Sequence, residues 1–151
     1  MSNEALKDFV LCKSIAVIGA SATKQKYGNS ALRELRLRGF EVMAIHPTAQ
    51  TIDGAGCFPS LMSLPRKPDG VFVCVQPDKV PAVLREVAAA GIARVWLQQG
   101  AESTAADVLG RDLGLSMVRS ACILMYMQPV RGFHSLHRGV MRLFHRLQAT
   151  T

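Results

Sequence analysis

Short apolar runs, rich in β-branched residues, alternate with amphipathic segments along most of the chain. The first run, at residues 14–19, reads S-I-A-V-I-G, and similar runs follow at approximately residues 40–47, 69–75, 93–97 and 115–118. Such runs are typical of strands that are buried on both faces of a parallel sheet. The pattern therefore predicts a parallel sheet of about five strands.

Amphipathic segments lie between several of these strands, at approximately residues 28–38, 78–90 and 104–113. In the second segment, Val80 and Leu84 belong to an apolar stripe at helical spacing. Strands that alternate with helices favour right-handed crossovers, with helices on both faces of the sheet. We therefore predict an α/β fold, a three-layer, Rossmann-like, doubly wound parallel sheet, with the five runs in the spatial order 3-2-1-4-5.

The last part of the chain differs from the rest in its charge. Its final 21 residues contain four arginines and three histidines but no acidic residue, and their apolar residues recur at helical spacing. The pattern predicts a Rossmann-like domain at residues 1–128 and a basic amphipathic helix at residues 129–151, packed on the same domain or on a partner. A homodimer through this helix is one alternative. A nucleic-acid partner is disfavoured, because neither a helix-turn-helix nor interleaved aromatic residues accompany the basic charge.

Composition narrows the class of protein. With 151 residues, of which 49% are hydrophobic, the chain has the length and composition of one folded domain. Its net charge of +7 favours an anionic partner, such as nucleic acid, acidic lipid or a phosphorylated cofactor. No apolar run reaches the roughly 18–20 residues of a membrane span. Charged residues at positions 4, 7 and 8 disfavour a secretory signal, so we predict a cytoplasmic location.

The cysteines show no metal-binding pattern. Cys12, Cys57, Cys74 and Cys122 form no C-x-x-C pair. We therefore predict free thiols, mostly buried as small apolar groups, and no metal site.

Four polar segments follow the predicted strands at their carboxyl ends. They read G-A-S-A-T-K-Q-K-Y-G-N-S, H-P-T, V-Q-P-D and Q-Q-G. In open parallel sheets, ligands bind beyond these ends, near the point where the strand order reverses. A glycine turn and a helix N-terminus offer backbone N–H groups to phosphate, and Lys24 and Lys26 add positive charge. The sequence therefore predicts an anionic ligand at this edge.

The first of these segments lacks the dinucleotide fingerprint. Gly19 is followed by Ala20 and Ser21, whereas NAD sites use G-x-G-x-x-G. The second strand ends in I-H-P, without the acidic residue that binds the NAD ribose. An uncharged or basic strand end tolerates a phosphate on the ribose, as in NADP or coenzyme A, better than a carboxylate does. These features disfavour NAD.

Five short segments occur in a distinctive set: V-I-G-A-S, H-P, F-P-S-L, V-Q-P-D-K-V and V-W-L-Q-Q-G. Together they resemble the small stand-alone CoA-binding proteins. These are similar to the CoA-binding domain of the succinyl-CoA synthetase alpha subunit and of acyl-CoA synthetases that form nucleoside diphosphates. The resemblance covers approximately residues 12–122. It implies a Rossmann-type domain that binds CoA or acyl-CoA.

Sixteen positions match those that contact CoA in that family. The resemblance implies that the phosphate loop comprises Gly19, Ala20, Ser21, Lys24, Tyr27 and Gly28. It implies that the adenosine end of the ligand lies against His46, Pro47 and Thr48. It also implies that the adenine and pantetheine side is lined by Val75, Gln76, Pro77 and Val80, and that the thiol arm lies near Gln98, Gln99 and Gly100. Five of these positions also have ordinary structural interpretations: turn residues at Gly19, Gly28 and Pro77, a strand-end polar group at Gln98 and a solvated loop histidine at His46.

One departure from the family concerns the end of the fifth strand. Members often carry an Arg-Cys pair there, whereas this chain has Ala121 before Cys122. A function that uses that arginine is therefore expected to be altered. Cys74 and Cys122 could face the ligand and exchange with the CoA thiol, although packing as buried thiols is the favoured interpretation.

No catalytic residue is predicted. No acidic residue lies at a spacing from the histidines that indicates a catalytic pair, and no G-x-S-x-G motif is present. The leading hypothesis is a CoA or acyl-CoA binding protein that acts as a carrier, a sensor or a subunit of a larger complex. The alternatives are an NADP-dependent oxidoreductase or NAD(P)-binding regulator, and a basic interaction protein that acts through its C-terminal helix.

Overall fold

The computed structural model describes residues 3–129, and the helix predicted at 129–151, with any homodimer through it, lies almost wholly outside them. The helices are α1 (Asn3–Phe9), α2 (Tyr27–Leu37), α3 (Val80–Ala89), α4 (Thr104–Asp112) and α5 (Ile123–Tyr126). The strands are β1 (Ser14–Ile18), β2 (Glu41–Ile45), β3 (Thr51–Ile52), β4 (Ala55–Phe58), β5 (Gly70–Val73), β6 (Arg94–Gln98) and β7 (Ser116–Ala121). Two single 3₁₀ turns lie at Leu61–Ser63 and Pro77–Lys79, the second leading directly into α3.

The strands form one sheet in the order β3-β4-β2-β1-β5-β6-β7, and only the β3–β4 pair is antiparallel. The predicted Rossmann-like α/β fold is confirmed. The predicted strand order was wrong, because it placed residues 69–75 outside the second strand, whereas β5 pairs with β1. The place beside β2 belongs to β4, whose short sequence A-G-C-F gave no strand signal. Once β4 is counted, the parallel strands do follow the order 3-2-1-4-5, with a sixth at the end.

Helices cover both faces of the sheet, as the continuous apolar runs of its strands require. In β1, Ile15 and Val17 face one layer while Ala16 faces the other, and all three side chains are fully buried. The first layer contains α1, α2 and α5, and the second contains α3 and α4. Alternate burial on two faces therefore fixes the register of the central strand and places its carboxyl end between the layers.

The buried guanidinium of Arg38, at the end of α2, hydrogen-bonds to the short helix α5. The Nη1 atom of Arg38 donates hydrogen bonds to the carbonyls of Leu124 (2.6 Å) and Met127 (2.7 Å). Its Nε atom pairs with Glu34, one turn earlier in the same helix, at 2.9 Å. Free carbonyls at a helix C-terminus favour a cation in this way. The apolar run after β7 is therefore part of the domain core, and Met127 is fully buried.

Candidate functional site

The carboxyl ends of the parallel strands meet at one edge, together with the loops that follow them. The strand order reverses between β1 and β5, since the chain leaves β1 toward β2 and later returns to the other side of β1. The segments predicted to bind a ligand all begin at this edge: residues 19–28, 46–48, 75–77 and 98–100. Open parallel sheets bind their ligands at this place, and we therefore call it the ligand edge.

The loop after β1 packs directly on the backbone at the end of β5. Gly19 has φ of +116°, and a Cβ atom on it would lie 2.0 Å from the carbonyl oxygen of Cys74. Gly28 is equally confined, because its Cβ would lie 2.8 Å from the carbonyl oxygen of Gly19. The two glycines therefore allow the start of α2, the loop and the end of β5 to approach one another as no side chain would permit.

A buried asparagine that sequence reasoning missed folds this loop. Asn29 is fully buried, and its Oδ1 atom accepts hydrogen bonds from the backbone N–H groups of Ser21 (2.9 Å) and Lys26 (3.3 Å). Its Nδ2 atom donates to the Ser21 carbonyl at 2.8 Å and to the Asp53 carboxylate at 3.0 Å. The available signal was a polar residue on the apolar face of the predicted helix, three positions before Leu32. The Asn29 side chain thus holds the two ends of the loop together through its hydrogen bonds to Ser21 and Lys26.

Asp53 connects the loop to the turn between β3 and β4. Its carboxylate accepts from Asn29 and also pairs with Arg33 at 3.0 Å. The hydrogen bond from Asn29 is the main cause that lowers the pKa of Asp53; burial opposes it, and the charge of Arg33 assists it. The β3–β4 hairpin therefore supports the loop through a charge-assisted hydrogen bond.

The loop combines exposed positive charge with backbone N–H groups that have no acceptor in the described part of the chain. The Ser21 hydroxyl accepts from the N–H groups of Thr23 (3.2 Å) and Lys24 (3.1 Å). Within residues 3–129, the backbone N–H groups of Ala20 and Tyr27 have no protein acceptor. Lys24 and Lys26 are exposed and form no ion pair in that part of the chain. Such a loop at a helix N-terminus is suited to a phosphate group.

A histidine shapes the loop after β2. The Nδ1 atom of His46 accepts hydrogen bonds from the backbone N–H groups of Thr48 (3.2 Å) and Ala49 (3.0 Å). Since Nδ1 acts as an acceptor, the hydrogen of the neutral ring lies on Nε2. His46 is half-buried, and Pro47 and Thr48 are exposed beside it. This loop thus offers a ring donor and an open surface at the ligand edge.

The predicted pantetheine side is only partly accessible. Val75 and Pro77 are half-buried and Gln76 is exposed, so these three residues reach the edge. Val80 is fully buried and packs in the core layer of α3 with Leu84. The apolar stripe of the helix accounts for the burial of Val80, and a contact between Val80 and the ligand stays a prediction.

The loop after β6 is held by one carboxylate. Gln98 is 7% exposed, while Gln99 and Gly100 are exposed. The two carboxylate oxygens of Glu102 accept 2.7 Å hydrogen bonds from the N–H groups of Gly100 and Ser120. Burial tends to raise the pKa of Glu102, but these hydrogen bonds and others from Glu102 and Ser120 outweigh burial and lower it. Glu102 therefore ties the loop after β6 to the end of β7.

Glu102→Gln should reduce the free energy of unfolding at neutral pH, because the amide keeps only one acceptor oxygen and its NH2 group would face one of the two backbone N–H donors. A carboxyl whose folded pKa lies below its ordinary value of 4.5 stabilises the fold above that value and loses this contribution as the pH falls through the folded pKa. The difference in the free energy of unfolding between the parent and the variant should therefore decrease in acid, as measured by urea unfolding over a pH series. Glu86→Gln, at an exposed position on α3, serves as the control. If that difference stayed the same in acid, the ionised carboxylate of Glu102 would not be the source of the stabilisation.

The thiols lie at different depths. All four cysteines are free, as predicted, but only Cys12 is buried, so the prediction that most are buried was wrong. Burial raises the pKa of the Cys12 thiol to about 12 and also raises the pKa values of Cys57 and Cys74. The Sγ atom of Cys122 lies 2.8 Å from the hydroxyl of Tyr27. Cys122 thus contacts the start of α2 at the ligand edge.

Residues 3–129 contain no group of three or more His, Cys, Asp or Glu side chains that could hold a metal ion. No helix in the same range has the length and hydropathy of a membrane span.

Proteins of known sequence or structure are similar to this chain. The chain is 36% identical over 89 residues to the ADP-forming acetate–CoA ligase II of Archaeoglobus fulgidus. This match covers 58% of this chain but only 13% of the ligase. It is 24% identical over 111 residues to the uncharacterized protein YneT of Bacillus subtilis, with 74% of this chain and 82% of YneT covered. A solved structure of a conserved hypothetical protein from Pyrococcus furiosus superimposes with a TM-score of 0.70 and 34% identity, covering 74% and 97% of the two chains.

The matched region contains every segment described at the ligand edge. A sequence model of the CoA binding domain matches residues 13–128, from the residue before β1 to the segment after α5. This match includes the glycine loop, the His46 turn, the strand ends and Cys122. The protein belongs to the CoA binding domain family.

Proposed function

We propose that this protein binds CoA or acyl-CoA at the carboxyl edge of its sheet and acts in the cytoplasm as a carrier, a sensor or a subunit of a larger complex. The observation that carries the proposal is the loop at residues 19–28. It lies where the strand order reverses, is folded by Asn29, and combines two exposed lysines with backbone N–H groups that have no acceptor within residues 3–129, in a chain of the CoA binding domain family. Phosphate groups are the ligand chemistry that such a loop favours.

The proposed arrangement follows the ligand from its charged end to its sulfur. The phosphates bind the loop through Gly19, Ala20, Ser21, Lys24, Tyr27 and Gly28, and the adenosine end lies against the turn of His46, Pro47 and Thr48. Val75, Gln76 and Pro77 flank the pantetheine, and Gln98, Gln99 and Gly100 lie toward its thiol end. The turn after β2 supports a phosphorylated ribose better than NAD, because no carboxylate stands at this strand end.

The proposal concerns binding and includes no catalytic step. The chain matches 13% of the acetate–CoA ligase II sequence, so the reaction named for that protein is not transferred to this one. The described residues supply donors, positive charge and a shaped edge, which are sufficient for a carrier or a sensor.

Ser21→Glu should weaken CoA binding strongly, because a carboxylate in the glycine loop repels phosphate and removes the hydroxyl that accepts from Thr23 and Lys24. Isothermal titration calorimetry of the full chain with CoA, acetyl-CoA, NADP and NAD measures this. We expect binding of a CoA ligand by the parent protein and at least about a tenfold loss in the variant, a difference of about 1.4 kcal/mol. Ala89→Glu adds the same charge at an exposed position at the end of α3 and should bind as the parent does.

Other outcomes of the titration would identify the alternatives. Binding of NADP without CoA would favour the oxidoreductase or the NAD(P)-binding regulator. Absence of binding to all four ligands would contradict the proposal and favour an interaction protein. Deleting residues 129–151 should leave CoA binding intact, whereas an interaction protein acting through that segment would lose its activity.

A further inference from the structure

Two leucines are strongly exposed in the first helical layer. Leu11, in the turn after α1, is 72% exposed, and Leu37, the last residue of α2, is 80% exposed. Val10, beside Leu11, is also exposed. Apolar side chains that are exposed singly are ordinary on protein surfaces, whereas grouped ones mark surfaces that contact something else. We call Leu11 and Leu37 the amino-end leucines, because of where the sheet places them.

The register of β1 and β2 brings the amino-end leucines to the same end of the fold. Ser14 and Glu41, the first residues of the two strands, are paired, and the N–H of Glu41 donates to the carbonyl of Lys13 at 3.0 Å. Leu11 precedes β1 by three positions, and Leu37 precedes β2 by four. Since α1 and α2 pack on the same face of the sheet, both leucines lie at the amino end of the first layer, opposite the ligand edge.

The described part of the chain ends between the helices that carry these leucines. On one side, Arg38, the residue after α2, donates to the carbonyl of Met127 at 2.7 Å. On the other side, the ring centroid of Tyr126 lies 5.8 Å from that of Trp96, which lies 5.3 Å from the ring centroid of Phe9 in α1. Three residues of chain span at most about 11 Å, so residue 130 lies close to the ends of both helices.

The sequence of residues 130–151 is suited to covering an apolar surface. Its apolar residues recur mostly at intervals of three or four: Val130, Phe133, Leu136, Val140, Leu143, Phe144 and Leu147. Arginines and histidines occupy many of the positions between them. Such a pattern indicates a helix with one apolar and one basic face. A helix over residues 130–147 would be about 27 Å long, and packed helices lie about 8–10 Å apart, so it could span both leucines.

We propose that residues 130–147 form a helix whose apolar face packs on the amino-end leucines of the same chain. The attachment at residue 129 favours this occupant, because a short connection keeps the segment at an effective concentration in the millimolar range beside the surface. The basic face then points to solvent, where its charge stays hydrated. The segment stabilises the domain from the end opposite the ligand edge, and the inference is independent of the proposed function.

Leu37→Gln in the full-length protein tests the contact, because glutamine and leucine have similar helix propensities. On an uncovered surface this substitution should be almost neutral. If the segment buries Leu37, the equilibrium constant for folding should fall by about tenfold or more, as measured by urea unfolding. Leu11→Gln should act in the same direction. The control is Met62→Gln, at a 73% exposed residue in the 3₁₀ turn beside the second layer, and it should be neutral.

A second full-length variant shows whether the segment is what covers Leu37. Phe133→Gln, Leu136→Gln and Val140→Gln, combined in one chain, remove much of the apolar face of the segment. This variant should itself fold less favourably than the parent, and adding Leu37→Gln to it should cost almost nothing more, because both changes remove the same contact. Additive losses would overturn the proposal. Neutral effects of both Leu37→Gln and Leu11→Gln would also overturn it.

The oligomeric state distinguishes a second copy of the chain from the segment of the same chain. Light scattering should give the mass of a monomer, and the urea midpoint should not change with protein concentration. A dimer that dissociates in Leu37→Gln would place a second copy on these leucines and overturn the proposal. Calorimetry should find the same CoA affinity in Leu37→Gln as in the parent. Failure of the parent to bind CoA would refute the proposed function and leave this inference standing.

Discussion

Gly19→Ala should destabilise the protein by about 2–6 kcal/mol, which is the sum of a backbone cost and a packing cost. The backbone cost arises because Gly19 has φ of +116°, a conformation that costs a residue with a side chain about 1–3 kcal/mol. The packing cost arises because the new Cβ would lie 2.0 Å from the Cys74 carbonyl oxygen, a backbone atom that cannot rotate away. Forced overpacking typically adds about 1–3 kcal/mol. Urea unfolding followed by circular dichroism measures the total.

Gly100→Ala separates the two costs. Gly100 also has a positive φ, +94°, but a Cβ there would meet nothing within 4 Å. It should therefore lose only the backbone contribution, about 1–3 kcal/mol. Equal losses in the two variants would show that the contact with Cys74 does not confine the loop. Gly19→Ala should also weaken CoA binding under the proposed function, because moving the loop away from β5 displaces the phosphate donors.

The sheet could be predicted from sequence where strand signals were strong. β1, β2, β5 and β6 carry apolar runs that belong to no amphipathic helix, and each was placed within a few residues. β4 was missed because two small residues in its four-residue sequence give it little β propensity of its own. It exists because its pairing with β2 and β3 supplies backbone hydrogen bonds at the sheet edge. Missing that one strand was enough to misplace β5 in the strand order.

The candidate site was predicted where it depends on chain order and missed where it depends on contacts distant in sequence. The strand-end loops could be identified because parallel strands bring their carboxyl ends to one edge. The contact of Tyr27 with Cys122 spans 95 positions, and that of Asn29 with Asp53 spans 24. Neither spacing carries a local signal. Val80 lies at a position that fits a family contact but is buried with the apolar face of its own helix, so its contact with the ligand stays a prediction.

Asn29→Ala should destabilise the protein by about 2–4 kcal/mol, because several polar groups around a fully buried side chain would lose their partner at once. The backbone N–H groups of Ser21 and Lys26 would lose the acceptor that holds them together, and Asp53 would lose a donor. The loop would then populate other conformations, and apparent affinity falls with the fraction that remains competent to bind. Under the proposed function, CoA binding should therefore weaken by about tenfold or more.

Two further variants make the test of Asn29 specific. Ser30→Ala changes the next, exposed residue of α2 and should alter the free energy of unfolding by no more than about 0.5 kcal/mol. Asn29→Asp keeps an acceptor for Ser21 and Lys26 but sets a second carboxylate against Asp53. The difference in the free energy of unfolding between the parent and Asn29→Asp should decrease in acid, because protonation of one carboxyl relieves the repulsion. If Asn29→Ala bound CoA as tightly as Ser30→Ala, the loop would owe its shape to its glycines and not to the buried amide.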